Sequence, residues 1–138
     1  MRTRPTLQEQ IETRIAAQGD AVFLTREFAD LSGERQVLRT LRKLVDEGKL
    51  VRLGYGVYGR AEISPLTQQP MLAAKNGFAG ASREALTKLG VDWEPTEWET
   101  AYNQGRSTQV PVNAVVRLKR GRFARRIAWR NSALVLER

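Results

Sequence analysis

Arg35, Gln36, Arg39, Arg42 and Lys43 crowd into one short stretch of this chain. Guanidinium and ammonium groups pair with phosphate oxygens, and a planar amide or guanidinium can also read the edge of a base. That is the chemistry of polyanion recognition rather than of bond making. Proton transfer has little to work with. The chain has no histidine and no cysteine, which removes the usual base near neutral pH, thiolate nucleophiles, disulfides and the commonest zinc ligands. The one acidic cluster, Asp92, Glu94, Glu97 and Glu99, could in principle attract Mg²⁺. Acids before and within a first helical turn are, however, what the helix dipole and capping favour, and no phosphate-cradling glycine loop accompanies them. We expect no enzyme here: no catalytic residue, no metal and no cofactor.

Those cations need a helix to carry them. Val37, Leu38, Leu41, Leu44 and Val45 recur at the spacing of one buried helical face, with Gln36, Arg39 and Lys43 opposite and Arg35 and Arg42 on the flanks. Ser32 is placed to cap the N-terminus, and Gly48 stands where a left-handed residue would end the helix. Thr25 can cap a shorter helix over 26–31, leaving Ser32 and Gly33 to turn between the two. Downstream, residues 50–53 and 57–58 predict two strands around Gly54-Tyr55-Gly56. Upstream, Thr6 precedes a helix from about Leu7 to Gln18 with Leu7, Ile11 and Ile15 on one face, followed by an apolar extended stretch over 21–24.

The order across residues 5–62 predicts a winged helix-turn-helix, with helix 33–47 entering the major groove of double-stranded DNA. Ser32, Arg35, Gln36, Arg39, Arg42, Lys43, Arg52 and Tyr55 are the candidate DNA contacts. Arg42, Arg52 and Tyr55 suit the phosphate backbone, with Tyr55 equally readable as a turn residue that contacts nothing.

Residues 63–138 predict a second, small α+β unit after a proline-bounded connector at 64–70. Ser82 can cap a helix over 83–89 ended by Gly90, and Thr96 with Glu99 makes a capping box for a helix to about Asn103. Segments 114–118, 125–130 and 133–136 predict an antiparallel sheet, its first two strands joined by the tip Lys119-Arg120-Gly121-Arg122, with Trp93, Trp98, Phe123 and Trp129 filling the core. Polar Ser107, Thr108 and Gln109 are expected to satisfy local backbone groups. The fold class is thus α+β, a winged helix-turn-helix followed by a small helix-plus-antiparallel-sheet domain.

Charge is unevenly spread. Of the net +8, residues 1–65 carry 11 Lys/Arg against 9 Asp/Glu, residues 66–110 carry 4 against 5, and residues 111–138 carry 8 against 1. Lys119, Arg120, Arg122, Arg125 and Arg126 therefore form a secondary basic patch offering sequence-independent, salt-sensitive attraction to phosphates. The same patch could instead bind an acidic protein partner or RNA. No apolar run approaches the ~20 residues of a membrane span, and the start lacks a signal-peptide core, so a cytoplasmic protein is expected. With no heptad helix evident, a monomer or weak dimer pairing on DNA is expected.

The segment from Phe23-Leu24 through Leu41 and Leu44 to Gly54-Tyr55-Gly56-Val57-Tyr58 resembles the AbiEi-family antitoxins of type IV toxin–antitoxin systems. Ala85-Leu86-Thr87-Lys88-Leu89-Gly90 and Ser107-Thr108-Gln109-Val110-Pro111 resemble motifs of a short branch of that family. The resemblance covers nearly the whole chain, although the second half is much shorter than in longer members. It implies a transcriptional regulator that represses its own operon at inverted repeats and opposes a nucleotidyltransferase-like cognate toxin. Carried residue by residue, it implies a recognition helix over Gly33 to Glu47, with Arg35, Gln36, Arg39 and Lys43 facing bases or phosphates.

Overall fold

A computed structural model describes residues 4–105, 114–121 and 123–137. Helix α1 (Leu7–Ala17) opens where Thr6 Oγ1 accepts the Glu9 N–H at 3.1 Å. Arg60 finishes it: Nη2 donates to the Ile15, Gln18 and Asp20 carbonyls at 2.9, 2.6 and 3.0 Å. Strand β1 (Val22–Leu24) leads into a 3-10 turn over Thr25–Phe28 and then helix α2 (Glu34–Asp46). Strands β2 (Leu50–Gly54) and β3 (Val57–Ile63) form a hairpin, and the antiparallel order is β1-β3-β2, with β4 (Pro70–Leu72) pairing the far end of β3.

Two local expectations are corrected here. Residues 25–31 form successive 3-10-type bonds (Ala29 N–H to Arg26 O, Leu31 N–H to Phe28 O) rather than a helix capped by Thr25. The Glu27 carboxylate takes the capping role by accepting the Leu24 N–H at 2.6 Å. The N-cap of α2 is Gly33, one residue beyond Ser32, with no side-chain hydrogen bond. The other end is as expected. Gly48 adopts φ +77°, while Gly48 N–H reaches Val45 O and Lys49 N–H reaches Leu44 O, the paired bonds that close a helix on a left-handed residue.

The second half begins earlier than capping signals suggest. Helix α3 spans Gly77–Lys88, so Ser82 lies inside it, fully buried, rather than at its cap. Tertiary packing outweighs the local signal, because Ala81, Ala85 and Leu86 of the same helix enter the core. After β5 (Trp93–Pro95), helix α4 (Glu97–Asn103) starts at Thr96, whose Oγ1 accepts the Glu99 N–H at 3.3 Å. Strand β6 (Val115–Leu118) pairs β5 antiparallel but pairs β9 (Val135–Glu137) in parallel. Strands β7 (Ala128–Trp129) and β8 (Ser132–Ala133) form a separate two-stranded ribbon. The expected antiparallel sheet is therefore mixed, and among the described residues no hairpin joins 114–118 to 125–130. A parallel neighbour needs a long crossover, and residues 119–134 supply it. Trp98, expected in the core, is 52% exposed.

The central strands are covered on both sides, which explains their near-continuous apolar runs. Alternation sends Phe23, Leu50 and Tyr58 into one cluster with Ile11, Phe28, Val37, Leu41 and Leu44. It sends Val22, Leu24, Val51, Leu53 and Val57 into another with Ala81, Ala85, Leu86, Val116 and Ile127. Residues on either side of position 62 thus share a core.

Helix α3 also closes the free edge of β1. Glu84 accepts the Val22 N–H, while Lys88 Nζ donates to Val22 O at 2.7 Å, to Asp20 at 2.8 Å and to Glu27 at 2.9 and 3.0 Å. Burial disfavours the Lys88 ammonium, but Asp20 and Glu27 outweigh it and hold its pKa above the usual lysine value. A raised lysine pKa stabilises the fold below the unfolded value and is lost as pH climbs through the folded one. Urea denaturation should accordingly show Lys88→Met to be less stable by ~1–3 kcal/mol at neutral pH, with the gap to the unaltered protein closing above pH ~10.5.

Candidate nucleic-acid interface

Helix α2 separates its two chemistries sharply. Val37, Leu41 and Leu44 are buried against α1, the 3-10 turn and the sheet. Arg35, Gln36, Arg39, Arg42 and Lys43 are exposed, and none of the four cations forms an ion pair among the described residues. One hydrogen bond on this face is internal to the helix, Thr40 Oγ1 to Gln36 O at 2.9 Å. Leu38 is half-buried and sits at the centre of the surface rather than under it. A shallow depression lined by Glu34, Arg35, Leu38, Arg39 and Arg42 lies on the helix. A second cleft, about 150 Å³, brings Leu38 and Arg42 together with Arg52, Tyr55 and Tyr58 of the hairpin.

Helix face and hairpin tip are thus neighbours. Tyr55 projects at the tip, 69% exposed, beside Gly56 at φ +67°. Arg52 is exposed and its Nε donates weakly to Gly54 O at 3.4 Å. Tyr58 lies below; burial pushes its phenol above the ordinary value, and the nearby Arg52 and Arg42 charges pull partly against that. Ser32 is half-buried at the turn, lining a larger cleft between the start of α2 and the hairpin tip.

The residues expected to form one secondary patch are divided. Arg125 reaches the hairpin tip: its guanidinium stands 5.7 Å from the Tyr55 ring centroid, and Nη2 donates to Tyr55 O. Arg126 is exposed, with its carbonyl oxygen against Gly54, where an added Cβ would lie only 2.6 Å away. Lys119 and Arg120 instead flank Asp92, at 3.9 and 3.7 Å. Arg122 and the Ser107-Thr108-Gln109 segment lie outside the described residues. The approach of Arg125 to Tyr55 joins positions 70 apart in sequence, and no local pattern signals it.

The acidic residues are dispersed rather than convergent. Glu99 pairs with Arg83 (Oε1 to Nη1, 2.7 Å), Glu94 lies 3.9 Å from Arg117, and Asp92 serves Lys119 and Arg120. Among the described residues, no group of three or more carboxylates could hold a metal ion, and no helix is long and apolar enough to cross a membrane. No family model, curated protein or solved structure matches the chain.

Proposed function

We propose that this chain is a sequence-specific double-stranded-DNA-binding protein of winged helix-turn-helix type. Helix α2 enters the major groove, and Arg52, Tyr55 and Arg125 at the hairpin tip hold the adjacent backbone. The observation that carries this reading is the state of the α2 cations: exposed, unpaired among the described residues, and continuous with the hairpin tip across Leu38. Cations without internal partners can exchange their counterions for phosphates, while Gln36 and the arginines supply donors suited to base edges. The antitoxin resemblance supports a narrower role, an autorepressor acting at inverted repeats in its own promoter beside a cognate toxin, with two copies pairing on DNA.

The test is a binding measurement by fluorescence anisotropy. A duplex from upstream of the gene, or one enriched from a random pool, should bind far more tightly than unrelated duplex at moderate salt. Equal binding to every duplex would leave only the electrostatic attraction and overturn the reading.

Salt dependence separates the two halves of the divided patch. Arg125→Gln should reduce the slope of log K against log salt by ~0.9 for each phosphate that is no longer neutralised. Arg120→Gln, which removes a cation already beside Asp92, should leave that slope nearly unchanged. Titrations at a series of salt concentrations check both.

A further inference from the structure

Between the first turn of α2, the 3-10 turn and the hairpin tip lies a cleft of about 490 Å³, larger than either depression on the outer helix face. That volume is in the range of small-molecule sites. Its walls are mainly apolar: Leu24, Ala29, Val37, Leu38 and Leu89 line it. Two cations, Arg26 and Arg125, and one carboxylate, that of Glu34 in the first turn of α2, also line it, so positive charge exceeds negative by one. Each cation has one hydrogen bond to a backbone carbonyl, of Lys88 and Tyr55 respectively, leaving further donors on each guanidinium. Neither Glu34 nor any other carboxylate among the described residues forms an ion pair with either cation. Thr25 lines the cleft as well, and its buried hydroxyl, close under Gly56, has no hydrogen-bond partner among the described residues. The start of α2 opens onto the same space without a side-chain cap. An apolar body with an anionic end would answer both halves of this lining.

We propose that this cleft binds a small aromatic monoanion, its ring against Val37, Leu38 and Leu89 and its charge toward Arg26 and Arg125. The site goes beyond DNA recognition and stands without it. Only one consequence rests on that reading: Tyr55 and Gly56 border the cleft and also form the hairpin tip, and Arg125 contacts Tyr55 there, so an occupant would alter DNA affinity.

The experiment uses the full chain and two dyes of similar shape, anionic 8-anilinonaphthalene-1-sulfonate and neutral N-phenyl-1-naphthylamine. Fluorescence titration should give saturable one-to-one binding of the anion, with the neutral dye roughly tenfold weaker or worse. Ala29→Trp and Gly33→Phe both fill the cleft from exposed positions, and at Gly33 an added Cβ meets nothing within 4 Å. Either should abolish anion binding while leaving circular dichroism unchanged. Arg125→Gln should weaken the anion about tenfold and leave the neutral dye unaffected. Absence of saturable binding, survival of binding in a folded filled variant, or equal affinity for the two dyes would each overturn the site. The titrations contain no DNA, so their outcome is independent of the DNA-binding reading.

Discussion

Replacing Gln36 and Arg39 together by alanine should abolish discrimination between the enriched duplex and an unrelated one while leaving the protein as stable as before. Both side chains are exposed on α2, so neither contributes to the apolar clusters, and alanine is a strong helix former. Surface changes of this kind shift stability by only about 0.5 kcal/mol. A bidentate contact to a base, in contrast, is worth ~1–3 kcal/mol of discrimination. Removing two should therefore cost at least about tenfold in specific affinity, more if they act independently. Non-specific affinity should fall by roughly one phosphate contact at most, since Arg35, Arg42 and Lys43 remain. Anisotropy titrations on both duplexes and a thermal melt provide the three numbers. A parallel fall on both duplexes would mean that α2 is not in the groove.

Gly54→Ala should weaken the fold and DNA binding together. Its added Cβ would stand 2.6 Å from the Arg126 carbonyl oxygen. That neighbour is backbone and cannot swing aside as a side-chain tip could. Either the end of β2 or the chain at 125–127 must move, and Ile127, buried in the core shared by both halves, moves with it. Overpacking of this sort costs ~1–3 kcal/mol, measurable as a lower urea midpoint. Because Arg125 stands over Tyr55, displacement of that segment also takes a cation away from the hairpin tip. The expected result is weaker binding to specific and unrelated duplexes alike, with their ratio preserved. That pattern is the opposite of the Gln36/Arg39 result, and the pair of variants separates base reading from backbone contact. Unchanged stability in Gly54→Ala would show that residues 125–127 do not brace the hairpin.

Features set by neighbours in sequence are legible in the residues alone. The Leu7 and Val37 stripes, the Gly48 and Gly90 helix ends, the Thr96 cap and the strands flanking Tyr55-Gly56 all depend on a few adjacent residues. The exposed face of α2 follows from the same periodicity. Features that depend on distant partners are not legible in this way. Ser82 has the chemistry of a cap, yet the packing of α3 on β1 starts the helix at Gly77. The parallel pairing of β6 and β9 leaves no trace in either strand's alternation. The shared core does leave one local sign: Ala21-Val22-Phe23-Leu24 is apolar without alternation, as befits a strand covered on both faces. A strand of that composition requires a cover on its second face, which here is the second half lying across the back of the first.

The closure of β1 by Glu84 and Lys88 bears on self-association. An open strand edge invites another chain to extend the sheet, which is a common route to swapped dimers and aggregates. Here the outward N–H and carbonyl of Val22 are already occupied, so a newcomer would have to evict a lysine held by Asp20 and Glu27. Two molecules brought together on a duplex would have to touch through other surfaces, and concentrated protein gains protection from strand-to-strand polymerisation along this border.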